Sequence, residues 1–371
     1  MLLLALILCS LLLCSLGNDL SKAVLQPPSL NIYPDRQQVM TWKDAHGKVH
    51  AVRTQAEWEV RRAHILRNFE AVAGGRPERY RDPATIPYQI RETVTLSDGA
   101  SGKLIRRKIA IPMDERDVIP AYLFLPVAKA RLPAVLCLHQ TTPAGKGEPA
   151  GLAGLPTLHY ARELAGRGDV TLAPDYPRFG DSTTDAYQLG YTSATAKGIA
   201  NHRLCVSLLA QLPEVDAERI GCIGHSLGGH NAIFVALYEP RLRVIASSCG
   251  FCSFPRYYGG DLKGWSHAGY MPRIASEFGC DPKRIPFDFT ELLAALAPRP
   301  VFINAPVRDA NFDVEGVREC VRAALPVYQL YGKAENLRVV YPDAEHAFPD
   351  EIRQQCYAFL DAHLRERRIE R

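Results

Sequence analysis

The spacing of hydrophobic and polar positions changes its period along the chain. Between Thr54 and Ala73, Trp58, Val60, Ile65, Leu66 and Phe69 recur at helical spacing. Thr54 stands at an N-cap position, Glu57 follows three residues later, and Gly74-Gly75 closes the run. The pattern predicts a helix with a capping box. From Gln89 the texture becomes that of strands: Gln89–Leu96, Leu104–Ile111 and Pro120–Leu125, separated by Asp98-Gly99 and the charged turn Asp114–Asp117. Beyond these, short apolar runs alternate with helical ones. Strands are expected at Ala134–Leu138, Val170–Ala173, Ile220–Ile223, Val244–Ser247, Val301–Asn304 and Arg338–Val340. Helices are expected at Pro156–Gly166, Ala194–Leu212, Leu227–Tyr238, near Phe289, Val314–Leu330 and Pro349–Arg365. An antiparallel opening followed by β-α units predicts the α/β class: a mostly parallel, twisted sheet with helices on both faces and an antiparallel N-terminal edge.

Composition narrows the classes of function. The chain has 371 residues, 47% hydrophobic and 23% charged, with a formal net charge of +4. That balance suits a soluble globular protein. The basic runs Arg106-Arg107-Lys108 and Arg365–Arg371 are short and scattered, which argues against a nucleic-acid partner. Met1–Leu16 is almost purely aliphatic but too short for a comfortable membrane span of roughly 20 residues. Ser15 and Gly17 supply small residues before Asn18, so residues 1–17 are expected to be a secretory signal peptide, with an uncleaved anchor as the alternative. Export implies a secreted or periplasmic protein with no membrane contact after cleavage. Of ten cysteines, Cys9 and Cys14 would leave with that segment. Cys137, Cys205 and Cys222 sit in apolar runs as small hydrophobes, and export would permit disulfides among the rest. Cys249 and Cys252 form a lone C-x-x-C without a second pair at zinc spacing, so neither a metal nor another cofactor is expected.

The chemistry concentrates after the strand ending at Ile223. Gly224-His225-Ser226-Leu227-Gly228 is a G-x-S-x-G, a pattern that chance supplies often, so its context decides. Here a β-rich run precedes it and a helical run follows. On such a strand–turn–helix a serine stands clear of the sheet, glycines avoid a clash across the tight turn, and the new helix aims free N–H groups at the reacting centre. Ser226 is therefore the expected nucleophile. A serine hydroxyl needs a base, and the base needs an acid to orient it.

The sequence GHSLGG, with Val215-Asp216-Ala-Glu-Arg219-Ile220-Gly221 before it, resembles the α/β-hydrolase superfamily from about Gln89 to the C-terminus. Within it the likeness is to the branch of dienelactone-hydrolase-like proteins, acetyl xylan esterases and prolyl-oligopeptidase-type catalytic domains. True dienelactone hydrolases carry a cysteine nucleophile; Ser226 shifts the expectation to serine esterase chemistry. The resemblance implies the order Ser, acid, His. His346, in the loop after the last strand, is the expected base. The loop after Val301–Asn304 offers Asp309 and Asp313; the family's usual turn selects Asp309, and Asp313 suits the N-cap of the next helix. The oxyanion hole is expected from the backbone N–H of Leu227 and of Gln140, with Thr141 as the second choice, since His139-Gln140 replaces the family's His-Gly. Lys146 lies in a glycine-containing loop that lacks the first glycine and the Ser/Thr of a phosphate loop. Asp175–Ser182 is expected to brace the nucleophile turn, and His230 to be a satisfied buried histidine.

Three segments are expected: 1–17, the signal; 18–87, a helical extension packed on the main domain; and 88–371, the catalytic domain. An aromatic insertion at about 250–288 would supply Trp265, His267 and Tyr258 to the substrate, or pack on itself as a lid. The leading function is hydrolysis of a small-molecule or polysaccharide ester, narrowed to a carbohydrate acetyl esterase. A prolyl-oligopeptidase-type peptidase and a silent binding protein on the same fold are the rivals, and the oligomeric state is left open.

Overall fold

The computed structural model describes residues 30–75, 85–97 and 102–365. The expected signal at 1–17, the Asp98-Gly99 turn and the tail beyond Arg365 lie outside the described residues. Two short strands, β1 (Thr41–Lys43) and β2 (Val49–Ala51), pair as an antiparallel hairpin ahead of helix α1 (Gln55–Ala73). Thr54 caps that helix and the Glu57 side chain answers from the third position, the reciprocal box expected from the sequence.

Three antiparallel strands open the main sheet: β3 (Gln89–Leu96), β4 (Leu104–Asp114) and β5 (Asp117–Pro126). Six strands follow: β6 (Leu132–Leu138), β7 (Val170–Pro174), β8 (Val215–His225), β9 (Leu242–Ser248), β10 (Val301–Asn304) and β11 (Leu337–Val340). The order across the sheet is β11-β10-β9-β8-β6-β7-β5-β4-β3. From β11 to β7 every pairing is parallel, and β7 meets β5 antiparallel. The fold class expected from the sequence is therefore the one observed.

The helices are α2 (Tyr160–Gly166), α3 (Ala194–Gln211), α4 (Leu227–Tyr238), α5 (Arg273–Ser276), α6 (Phe289–Ala294), α7 (Val314–Leu330) and α8 (Asp350–Leu364). They divide between two faces. One core joins Trp58 and Phe69 of α1 to Leu208 of α3, Ile233 of α4, Leu292 of α6 and Val327 of α7. The other joins Tyr160 and Leu164 of α2 to Ile352, Tyr357 and Leu360 of α8. Neighbouring β8 residues go to opposite cores, Cys222 to the first and Ile223 to the second. A parallel strand covered on both sides has to be apolar at consecutive positions, which is why Ile220–Ile223 shows no alternation.

Helix α1 is anchored by charge as well as by apolar burial. Arg61 Nη2 donates to Glu291 Oε1 at 2.6 Å, with the two side chains 0% and 1% exposed. The Arg61 guanidinium also lies over the Tyr33 ring, 3.1 Å from its centroid. Removing Arg61 leaves the buried Glu291 carboxylate with only Arg36, 3.9 Å away, and the Asp288 N–H, which costs more than the intact pair contributes. Arg61→Ala is expected to destabilise the protein by about 3 kcal/mol, read as a lower urea midpoint. An unchanged midpoint would show that the pair does not hold α1 in place.

All eight cysteines among the described residues are free thiols, and seven of them are buried. Among the described residues, no helix is long and apolar enough to cross a membrane.

Candidate active site

Strand β8 ends at His225 and helix α4 begins at Leu227, so Ser226 alone makes the turn between them. Its backbone takes φ 54° and ψ −116°, a strained setting for a residue with a Cβ. Two hydrogen bonds hold it there: Ser226 N–H donates to Ser248 O at 2.8 Å, and Ser226 O accepts from His230 N–H at 3.2 Å. The turn closes because Gly224 and Gly228 face each other without side chains. A Cβ on Gly224 would lie 2.2 Å from the Gly228 carbonyl carbon, and one on Gly228 would lie 1.9 Å from Leu138 O. This second approach sets the start of α4 against the end of β6, where the loop carrying Gln140 begins.

That loop is held from several directions. His139 Nε2 accepts from Tyr176 N–H at 2.9 Å, which leaves Nδ1 as the donor to Gln140 O at 2.6 Å. Burial keeps the His139 ring neutral by pulling its pKa down. The Gln140 side chain donates to Glu148 Oε1 at 3.0 Å, and the Tyr160 hydroxyl bonds Leu138 O. Farther along, buried Lys146 gives both its backbone N–H and its ammonium to Asp175, each at 2.7 Å. The same ammonium reaches Asp181 at 2.7 Å, so Lys146 is committed to the Asp175–Ser182 loop and not to a phosphate.

Asp309 and His346 come from different loops and meet side by side. His346 Nδ1 lies 2.9 Å from both Asp309 oxygens. Asp309 Oδ1 also accepts from the N–H groups of Asn311 and Phe312. Burial pushes this carboxyl up, but the bond and charge of His346 and the two amides outweigh it and hold the pKa below the usual 3.8. The group therefore stabilises the fold above pH 3.8, and this contribution disappears as pH falls through the lower folded value. Asp313 accepts instead from the N–H groups of Glu315 and Gly316, the first turn of α7. Of the two aspartates that the sequence offers, Asp309 pairs with His346 and Asp313 with the helix. Asp309→Asn is expected to lower kcat by about 10³- to 10⁴-fold. Asp313→Asn should keep near-normal kcat and lose only about 1 kcal/mol of helix capping. Comparable losses in both variants would refute this division of roles.

Residues 135–366 match the family model described as the alpha/beta hydrolase family. The chain belongs to this family. It is 26% identical over 271 residues to YtaP of Bacillus subtilis (strain 168), named as a hydrolase; the match covers 69% of this chain and 87% of that one. It is 23% identical over 292 residues to a 4-O-methyl-glucuronoyl methylesterase of Hypocrea jecorina (strain QM6a), covering 73% of this chain and 58% of the relative. Among solved structures, a glucuronoyl esterase from Solibacter usitatus superposes with a TM-score of 0.69 at 19% identity, covering 88% of this chain and 97% of that one.

In this alpha/beta hydrolase, Ser226 and His346 open onto one cavity of about 320 Å³. Gln140 and Thr141 form one side; Trp265 and Tyr270 from the insertion form another. Of the three insertion residues expected to meet substrate, only Trp265 lines the cavity. His267 is exposed, with its ring edge against Tyr270, and Tyr258 is 60% exposed and bonds Asn311 from outside. The rest of the insertion does pack on the core: Phe251 stacks on Phe289, and Phe254 meets Phe287 edge-on. Wall and self-packed lid are thus both present, in different residues.

Some supports had not been foreseen. Asn304, the polar end of β10, donates to Ser248 Oγ at 2.8 Å and to Ala347 O at 2.9 Å, tying the His346 loop to β9. Ser248 Oγ pairs in turn with His225 Nδ1, and the His225 ring stands 5.0 Å from that of His346. Burial first, and the neighbouring His346 second, bring the His225 pKa to about 3, so the ring behind His346 is neutral. A polar residue ending a buried apolar strand was the only sequence signal for this network.

Among the described residues, Cys249, Asp309 and His346 are the one group of donor atoms close enough for a shared ion, all within 4.8 Å. Two of them are already bonded to each other. The Cys249 thiol is pushed far up by burial and stays protonated, which makes it a poor metal ligand.

Proposed function

We propose that the chain hydrolyses carboxylic esters by acyl transfer to Ser226, with carbohydrate esters as the substrate class. Ser226 Oγ attacks the ester carbonyl while His346 takes its proton and passes it to the departing alcohol. Asp309 holds the imidazole in the required tautomer. The N–H groups of Leu227 and Gln140 receive the developing oxyanion, each worth about 3 kcal/mol of barrier. Water then attacks the acyl-enzyme, with His346 acting as base a second time. The observation carrying this reading is the single cavity into which the strained Ser226 and the Asp309-paired His346 both open. The carbohydrate part is supported by the relatives, which include a methylesterase and a glucuronoyl esterase by name. A prolyl-oligopeptidase reading gains no support here. Among the described residues, the segment before the main sheet is a hairpin and one helix, with no four-stranded blade.

The test is turnover of short-chain aryl esters, acetylated xylan and a hexuronate methyl ester, beside a prolyl anilide. Ester cleavage well above anilide cleavage is expected, and a wild-type protein that cleaves no ester would sink the proposal. Export is proposed as well, through residues 1–17. N-terminal sequencing of mature protein should then begin at Asn18, whereas an intact Met1 would contradict cleavage.

A further inference from the structure

Two residues lining the cavity beside Ser226 each carry a buried polar atom that the protein leaves without a partner. His230 and Trp265 both line it, and each side chain is only 2% exposed. Neither His230 Nε2 nor Trp265 Nε1 has a hydrogen-bond partner among the described residues. The two rings meet edge to face, with centroids 4.7 Å apart. A native fold seldom leaves buried polar groups unpaired, and two on one cavity wall call for a common explanation.

Their chemistry is complementary. His230 Nδ1 lies 3.1 Å from Gly250 O, which can only accept, so Nδ1 carries the proton and Nε2 presents a lone pair. Burial brings the His230 pKa to about 3 and keeps the ring in this neutral form. Trp265 Nε1 can only donate. A hydroxyl group is the one common group with the chemistry for both, a proton to give to His230 and a lone pair to accept from Trp265. A carboxylate or ketone oxygen can satisfy only the tryptophan, and a methyl group neither. The residues lining the cavity include no lysine, arginine, aspartate or glutamate, so nothing there is built to pair with a charged ligand.

We infer that His230 and Trp265 form a hydroxyl-reading subsite, which makes the preferred substrate an ester bearing a neutral polyhydroxylated ring. This inference rests on the ester-hydrolase reading for its substrate, though not for the ligand that the subsite holds. His230, expected from the sequence to be a satisfied core histidine, is instead satisfied at one nitrogen only.

The experiment uses two matched pairs of esters. Placing the hydroxylated ring on the acyl side gives a methyl hexuronate glycoside against methyl cyclohexanecarboxylate. Placing it on the alcohol side gives a monoacetylated methyl hexoside against cyclohexyl acetate. The wild type should prefer the hydroxylated member of at least one pair by about 10²-fold in kcat/KM, and the pair that responds identifies the side. In His230→Phe and in Trp265→Phe that ratio should fall below about 5-fold, because the ring shape remains while the polar atom is lost. The two residues sit on α4 and in the insertion, so a folding failure in one variant leaves the other to decide. A wild type that treats both pairs alike, or variants that both keep the preference, would overturn the inference. Calorimetric binding of the methyl hexuronate glycoside and a methyl hexoside to Ser226→Ala separates the two readings. Affinity that drops about 10-fold or more on adding His230→Phe supports the subsite even if no ester is ever cleaved. Affinity indifferent to both His230 and Trp265 overturns it even if esters are cleaved.

Discussion

Ser226→Ala is expected to lower kcat for any ester substrate by about 10⁴- to 10⁶-fold while the protein stays folded. The size follows from removing the atom proposed to form the acyl-enzyme; what would remain is oxyanion stabilisation and substrate positioning. Stability should barely move. Alanine keeps the Cβ, so the φ of 54° is neither relieved nor worsened, and the urea midpoint should shift by no more than about 0.5 kcal/mol in equivalent free energy. Steady-state turnover with an aryl ester, beside a denaturant curve, measures both. A variant retaining a tenth of wild-type kcat would remove Ser226 from the reaction. His346 and Asp309 would then need another partner within the same cavity.

The other large effect is structural. Gly228→Ala is expected to cost about 4 kcal/mol or more, or to prevent folding. The added methyl would stand 1.9 Å from Leu138 O, 2.6 Å from Leu138 C and 2.9 Å from His139 O. All three are backbone atoms at the end of β6, a strand hydrogen-bonded to β7 on one side and β8 on the other. No rotamer change relieves such a clash, so either α4 retreats or the sheet yields. If α4 retreats, Leu227 leaves Gln140 and the two proposed oxyanion donors separate. Any folded remnant should therefore lose kcat more than KM. A variant with a wild-type midpoint and wild-type kcat would show that α4 and β6 do not approach as described.

Local pattern was enough to locate many of the elements that frame the candidate site. Val301–Asn304, Leu227–Tyr238 and Val314–Leu330 occupy the residues expected of them, because each is a periodic run with a clear turn or cap at its ends. Ser226, Asp309 and His346 could be singled out as candidates because each sits just past such a run. The strands β1 and β2 were not foreseen, since three residues are too few to show a period. Within 250–288, turns and short helices replace periodic elements, so aromatic residues could be counted but not aimed. Trp265 proved to face the cavity, while His267 and Tyr258 did not. Pairing across the chain left no local trace either. Arg61 and Glu291 stand 230 residues apart, and each alone resembles an ordinary surface charge. Asn304 and His230 were visible as polar residues in apolar settings, but what each would bond, or fail to bond, depended on loops brought beside them by the sheet.

The free thiols have a practical meaning of their own. With no crosslink among the described residues, a reductant leaves their covalent framework unchanged. Apart from the partly exposed Cys280, burial dominates: it pushes the pKa of Cys205 and Cys222 up to about 12 and moves Cys137, Cys249 and Cys320 well upward, so alkylating reagents find almost no thiolate at these five positions in the closed protein. Their rate of modification then reports how often the core opens. The fold carries its own stopwatch, with hands in both of its cores.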